Sequence, residues 1–417
     1  MKFFTYYNHQ LHIEQCTITT LVEKWGTPLY LYSQQAITEA YTAFDNALHP
    51  LSHQICYAVK ANHNLSILKL LASLGAYFDI VSGGELARLQ AASIAPNRIL
   101  FAGVGKTEQE IAHALQLGIH CFNVESEAEL SCLTRIAQHL QCKAPFALRI
   151  NPDVDAHTHP HMATGLKDNK FGIALPQALN LYQSAAKSPY LKILGLSCHL
   201  GSQITSLTPY QAALDILLAF MDTLTQKGIM LQHIDIGGGF GIPYRPTDQV
   251  PSIAEFMTAI KNKLSGLPCK LYLEPGRSLV GAAGALATRC LYVKSTPTKQ
   301  FAIVDTGMHH LLRPALYTAY HPILPVSEPQ NTATMPYDVV GPICETADVL
   351  ASARELPLLS PGDLLLITQA GAYGMVMSSH YNSHPRPAEV LVSGNQARLI
   401  RVRENIHDAF AHELGLE

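Results

Sequence analysis

The sequence predicts an α/β chain: a (β/α)8, TIM-like barrel followed by a mostly antiparallel C-terminal β domain. Three observations carry that expectation. Eight short apolar, β-prone runs alternate with helix-like segments over roughly 220 residues, the size of one such barrel. All eight runs end near a polar residue or a glycine, namely Lys60, Asp79, Gly103, Glu125, Asn151, His199, Gly237 and Glu274. After Ser278 the texture changes to short β-prone runs set apart by prolines and glycines, with few helical stretches between them. An open doubly wound sheet is the alternative built from the same alternation.

Taken in order, residues 1–26 hold a short apolar stretch and a helix-like segment, Thr20 to Trp25, closed by Gly26-Thr27-Pro28. The barrel is expected over residues 27–283. Its first strand is His-Gln-Ile-Cys-Tyr-Ala-Val-Lys (53–60), an unbroken β-prone run of the kind that fills a buried parallel strand. Helix-like segments such as Glu108 to Leu117, Glu127 to Leu140 and Pro209 to Gln226 separate the later runs. Strands alternating with helices imply parallel pairing through right-handed crossovers. Residues 284–417 form the expected β domain, with runs at 285–294, 301–305, 336–341, 364–368, 388–393 and 397–402 and a closing helix around Asn405 to Leu414.

Composition narrows the functional classes. The chain has 417 residues, 48% apolar and 15% charged, enough for two folded domains and unlike a disordered chain. A net charge of −3 without a basic stripe gives no footprint for nucleic acid. The first ten residues lack the apolar core of a secretory signal, and no run of about 18 apolar residues suggests a membrane span. Nine scattered cysteines without a CxxC pair argue for reduced thiols, and the expected location is cytoplasmic.

In a barrel the C-terminal strand ends form one face, where barrel enzymes keep their sites. Lys60, Asp79, His199 and Glu274 are therefore expected to converge. A lysine closing a buried strand holds its amine partly out of water, and a neutral amine attacks a carbonyl to make a Schiff base. Gly237-Gly238-Gly239-Phe240-Gly241 follows the seventh run and Glu274-Pro275-Gly276-Arg277-Ser278 the eighth. A glycine run alone fits a tight turn as well as a phosphate cradle, but loops after strands seven and eight are where barrels bind phosphate. With no GxxxxGK[ST] motif in the chain, a phosphate cradle facing a Schiff-base lysine suggests pyridoxal 5'-phosphate.

Several motifs resemble those of one family. Tyr57-Ala58-Val59-Lys60, His199-Leu200-Gly201-Ser202-Gln203, Gly237-Gly238-Gly239 and Glu274-Pro275-Gly276-Arg277 resemble the fold-type III, alanine-racemase-like decarboxylases. Arg149 to Val154, Thr164 to Lys167 with Lys170 to Ile173, Arg313 to Tyr317, Cys344 to Asp348 and Arg386 to Val390 look like the diaminopimelate decarboxylases in particular. The resemblance runs from about Gly26 to Val392. It implies a barrel plus a β domain partly built from the N-terminal segment. The implied reaction is decarboxylation of meso-2,6-diaminopimelate to L-lysine and carbon dioxide, the last step of lysine biosynthesis.

By that resemblance, Lys60 would hold pyridoxal phosphate, Glu274 would pair with its ring nitrogen, and His199 would stack on the ring. Gly239, Gly276, Arg277 and Tyr373 would surround the phosphate, with Ser202 nearby and Asp79 and Gly238 also at the cofactor. Arg277, Arg313 and Tyr317 would grip the substrate's distal carboxylate, with Tyr373 at the same substrate site, and Glu345 would take its distal ammonium. Cys344 would protonate the carbanion from a second subunit of a homodimer. His157, His159 and His161 alternate in a proline-containing loop where the family holds no metal, so none is expected. Two departures concern substrate geometry: His309-His310 stands where the family more often has Asn-Asp, and Thr346-Ala347 replaces the commoner Ser-Gly or Ser-Ser. The nearest alternative is a related decarboxylase of ornithine, arginine or carboxynorspermidine. Those substrates lack the distal amino-acid carboxylate that Arg313 would serve.

Overall fold

A computed structural model describes residues 2–155, 169–266, 268–329 and 333–416. His157, His159, His161 and the stretch Thr164 to Lys167 lie outside the described residues. The chain divides into two units. One comprises residues 40–242 and 249–278, the other residues 1–39, 243–248 and 279–417.

The first unit is a closed barrel of eight parallel strands: β1 (His53–Ala58), β2 (Tyr77–Ile80), β3 (Ile99–Phe101), β4 (Cys121–Val124), β5 (Ala144–Arg149), β6 (Leu191–Ser197), β7 (His233–Asp235) and β8 (Lys270–Leu273). All eight are the runs expected from the sequence. The ring closes where Leu271, Tyr272 and Leu273 of β8 pair with His53, Gln54 and Ile55 of β1. Cys56, Leu100, Cys121, Ala147, Leu194 and Tyr272 make one buried cluster among the strands. The intervening helices start where side chains cap them. Thr107 accepts from the Glu110 N–H while Glu110 accepts from the Thr107 N–H, and Ser252 and Glu255 repeat that box.

An imidazole cluster is packed among these strands. The His233 ring stacks on Tyr272 with centroids 4.4 Å apart, and His120 Nε2 lies 3.0 Å from the Tyr272 hydroxyl. Burial pushes the His233 pKa down to about 3, so the folded chain holds it neutral. The unfolded chain takes up a proton there below pH 6.5, and stability is lost as pH falls from 6.5 toward that lowered value. Relative to a His233→Leu chain, the wild type is expected to lose up to about 1.4 kcal/mol per pH unit between pH 6.5 and 5. Denaturant unfolding of both chains across that range checks this; parallel profiles would refute it.

The second unit is built on a sheet containing Leu29–Ser33, Gly284–Ser295, Gln300–Val304, Ile323–Pro325, Thr334–Val340, Val349–Pro357, Leu364–Ile367, Ala388–Ser393 and Gln396–Arg401. Six of its strand pairs are antiparallel; Gln300–Val304 with Thr334–Val340 and Leu29–Ser33 with Ala388–Ser393 are parallel. Residues 27–39, grouped with the barrel on sequence grounds, contribute the strand between Gly284–Ser295 and Ala388–Ser393. A three-stranded N-terminal sheet and the helix Ile18–Trp25 pack on this unit, where Phe4, Leu11, Ile13, Leu21 and Val22 share a core with Leu31, Ala287, Leu366 and Val390. The expected closing helix is a 3-10 segment, Ile406–Glu413, with a non-helical residue at Phe410. Among the described residues no helix is long and apolar enough to cross a membrane.

Candidate active site

The barrel's chemistry gathers where its strands end. β1 stops at Ala58, and Lys60 sits in the single 3-10 turn Val59–Ala61 that follows it. β1 and β2 align Ala58 with Asp79, so the Lys60 amine donates to Asp79 Oδ2 at 3.0 Å. The lysine side chain is 36% exposed and the aspartate fully buried. One end of the pair is therefore open to a ligand while the other is fixed. The Ala58 N–H donates to Pro275 O, which ties the lysine turn to the loop after β8.

That loop begins with Glu274, whose backbone N–H donates to Gly237 O. Asn123 at the end of β4 donates through Nδ2 to Glu274 Oε1 at 3.2 Å. Burial first, then the Asp235 and Asp79 carboxylates, raise the Glu274 pKa well above the usual range. Asp235, fully buried on β7, is itself raised to about 6 by burial, while the Gly237 N–H 2.8 Å from its Oδ1 works against that rise. Coupled carboxyls in a dry interior disfavour each other's ionisation, which biases Glu274 toward its protonated form. Asp79 Oδ1, Asn123 Oδ1 and Asp235 Oδ2 have no hydrogen-bond partner among the described residues.

His199 lies two residues beyond β6. Its Nδ1 accepts from the Gly238 N–H at 3.2 Å, so the other nitrogen carries the hydrogen. Burial, then Arg149 and Lys60, hold its pKa far below the usual imidazole range, leaving a neutral ring. Two glycines in this loop are dictated by space. A Cβ on Gly238 would collide with the Glu274 carbonyl, and Gly239, at φ +90°, would drive one into the Gly201 carbonyl. Arg277, buried, donates from Nη2 to Ser202 Oγ at 3.1 Å. Gly276 is packed against Ala58 and Ala61, on either side of Lys60. All nine barrel residues singled out from sequence thus belong to one connected constellation.

The remaining candidates lie in the β unit. Arg313 is buried and opens the short helix Arg313–Tyr317; its Nη1 is 2.9 Å from His321 Nε2 and its guanidinium lies 4.7 Å over the Tyr244 ring. Tyr317 ends that helix, half-buried. Cys344 and Glu345 are exposed in the loop between Thr334–Val340 and Val349–Pro357; the Cys344 N–H donates to Asn382 Oδ1 and Glu345 accepts from the Tyr381 hydroxyl. Asp348 fixes this loop, accepting the Ile343 N–H at 2.8 Å and the Met308 N–H at 2.6 Å. Tyr373, at φ +55°, follows Leu364–Ile367.

The departing histidines are structural neighbours of these residues. His309 and His310 are buried with rings 3.6 Å apart, and His310 holds Thr306 and the Pro385 carbonyl. Burial lowers both, to about 3 and 4, so both are neutral. Asp235, Asn123 and His321 were not recognised as site residues from the sequence. Asp235 had a signal: a carboxyl closing a short β-run, two residues before the glycine loop.

The site accommodates pyridoxal phosphate: a partly exposed amine, a buried carboxyl whose surroundings favour its protonated form, a flat imidazole and a loop emptied of side chains lie together. A family model, the pyridoxal binding domain of pyridoxal-dependent decarboxylases, matches residues 34–281. The diaminopimelate decarboxylase of Pseudomonas fluorescens is 50% identical over 414 residues, 99% of each chain. That of Neisseria meningitidis serogroup A is 52% identical over 405 residues, 97% of this chain and 99% of the other. The crystal structure of diaminopimelate decarboxylase from Helicobacter pylori complexed with L-lysine is 42% identical, with a TM-score of 0.91 over 95% of this chain and 98% of that one. Among the described residues no cluster of metal-ligating side chains occurs. Similarity of that extent, over nearly whole chains and over the range 34–281 that contains Lys60, places this protein among the pyridoxal-dependent decarboxylases, in the diaminopimelate decarboxylase family.

Proposed function

We propose that this protein removes one carboxyl group of meso-2,6-diaminopimelate as carbon dioxide and releases L-lysine, the last step of lysine biosynthesis. The observation that carries the reading is the match, over nearly the whole chain at about half identity, to enzymes named for that substrate. Pyridoxal phosphate, when bound, supplies the sink for the electron pair left as carbon dioxide departs.

The residues divide the remaining work. Lys60 attaches the cofactor and Asp79 holds the amine until it does. Glu274 keeps a proton at the ring nitrogen, a task suited to a carboxyl whose surroundings already favour the protonated form. His199 would lie against the ring, and Gly238, Gly239, Gly276, Arg277 and Tyr373 would hold the phosphate, with Ser202 steadying Arg277. Arg277, Arg313, Tyr317 and Tyr373 grip the distal carboxylate, for which a guanidinium fork is the matching shape. Glu345 receives the distal ammonium, and Cys344 returns a proton to Cα. We further infer a homodimer whose sites take Cys344 from the second subunit, and a cytosolic setting in which all nine cysteines stay free of disulfides.

Release of lysine and carbon dioxide from meso-diaminopimelate, with ornithine and arginine run alongside, tests the reading. Preference for either monocarboxylate would replace it with the related decarboxylase. Arg313→Ala is expected to cost the dicarboxylate roughly 2–5 kcal/mol, or about two decades or more in kcat/KM, because a desolvated anion loses its charged fork. An equal loss on diaminopimelate and on a substrate without the second carboxylate would make Arg313 structural.

A further inference from the structure

His321 takes no part in the scheme above, yet it is fully buried and directly bonded to Arg313. Its Nδ1 lies 3.0 Å from the Thr368 carbonyl, which can only accept, so that nitrogen carries the hydrogen. A neutral ring then presents a lone pair at Nε2, 2.9 Å from Nη1 of a guanidinium that can only donate. These partners assign the tautomer, and they leave no role for a second ring proton, which would set N–H against N–H. The Arg354 Nη1 donates to the His321 carbonyl at 2.8 Å, fixing the backbone that carries the ring. Tyr244 completes the holder: its ring meets His321 edge-on at 5.5 Å and lies 4.7 Å beneath the Arg313 guanidinium.

We propose that His321 is a positioning residue that sets specificity, locking Arg313 so that its fork is preorganised for a carboxylate. An arginine free to sample rotamers must lose that freedom when it binds, and here the loss is taken during folding. The proposal rests on the reading that Arg313 serves the distal carboxylate. It also predicts that the neutral ring is required for its acceptor and not merely for its bulk.

L-Lysine and cadaverine separate these roles, since they differ by the carboxylate alone. Each is titrated into cofactor-loaded protein and followed by the cofactor's absorbance. His321→Leu is expected to raise the L-lysine dissociation constant roughly tenfold while moving that of cadaverine less than about twofold, as befits a lost support to one charged group. His321→Gln keeps an acceptor within reach of Arg313 and should recover most of the difference. His321→Asn, which reaches only as far as Thr368, should behave like the leucine variant. The Gln and Asn pair decides the matter if the leucine variant fails to fold. In turnover, KM for meso-diaminopimelate should rise more than kcat falls. Equal weakening of both ligands, or Gln no better than Asn, would overturn the role of His321. Should Arg313→Ala itself leave the lysine-to-cadaverine ratio unchanged, the assignment of Arg313 fails, independently of His321.

Discussion

Lys60→Ala is expected to abolish turnover, with a loss on the order of 10⁴-fold or more in kcat, the scale seen when a covalent group is deleted from an active site. Two physical reasons support so large a figure. The Lys60 amine, the attachment point, is held 3.0 Å from the Asp79 carboxylate, and alanine leaves no amine at that place. The variant also leaves Asp79 as a fully buried carboxylate without its cation, next to the Asp235 and Glu274 carboxyls. A buried carboxylate stripped of its partner neutralises or destabilises its surroundings. The same chain should therefore fail to show the visible absorption of covalently attached cofactor, and should melt differently from the wild type. Turnover within tenfold of wild type in the presence of added pyridoxal phosphate would remove Lys60 from the chemistry.

How much of this was legible in the sequence follows from what each element has to bury. The eight barrel strands are parallel and covered on both faces, so each reads as an apolar run with its period hidden, and each was found. Their ends were legible for the same reason: a polar residue closing such a run, as at Lys60 or Glu274, has nowhere to point except the open face. The strand Leu29–Ser33 reads the same way but belongs to the other unit, because its partners Gly284–Ser295 and Ala388–Ser393 lie some hundreds of residues further on and leave no local trace. Val349–Pro357 went unmarked because Ser352, Ala353, Arg354 and Glu355 interrupt its apolar pattern, three of them exposed at the sheet's margin. His321 was invisible for a different reason. A buried histidine acquires a role only through what it touches, and the partners of its two ring nitrogens, Arg313 and Thr368, are set by the fold rather than by spacing.

The second large effect concerns the proposed sharing of sites between subunits. Cα of the substrate needs a proton from a donor within hydrogen-bond reach, and solvent delivering it would give poor stereocontrol. Cys344 is the exposed cysteine of the chain, in a loop whose Ile343 and Cys344 N–H groups donate to the side chains of Asp348 and Asn382. A thiol presented on a rigid, outward loop suits a partner's barrel in a two-fold dimer, where each loop meets the other's site. Cys344→Ala alone should cost about 10²–10⁴-fold in kcat, the range of a lost general acid. Mixing it with Lys60→Ala and allowing subunits to exchange should restore activity. Random reassortment makes about half of the dimers mixed, and each mixed dimer holds one intact site and one doubly broken site, so activity should return to about a quarter of wild type by counting on the two-fold. Recovery requires no new contact, only that Lys60 and Cys344 of one site come from different chains. If exchange is confirmed by mass and no activity returns, Cys344 acts within its own chain or takes no part in the reaction.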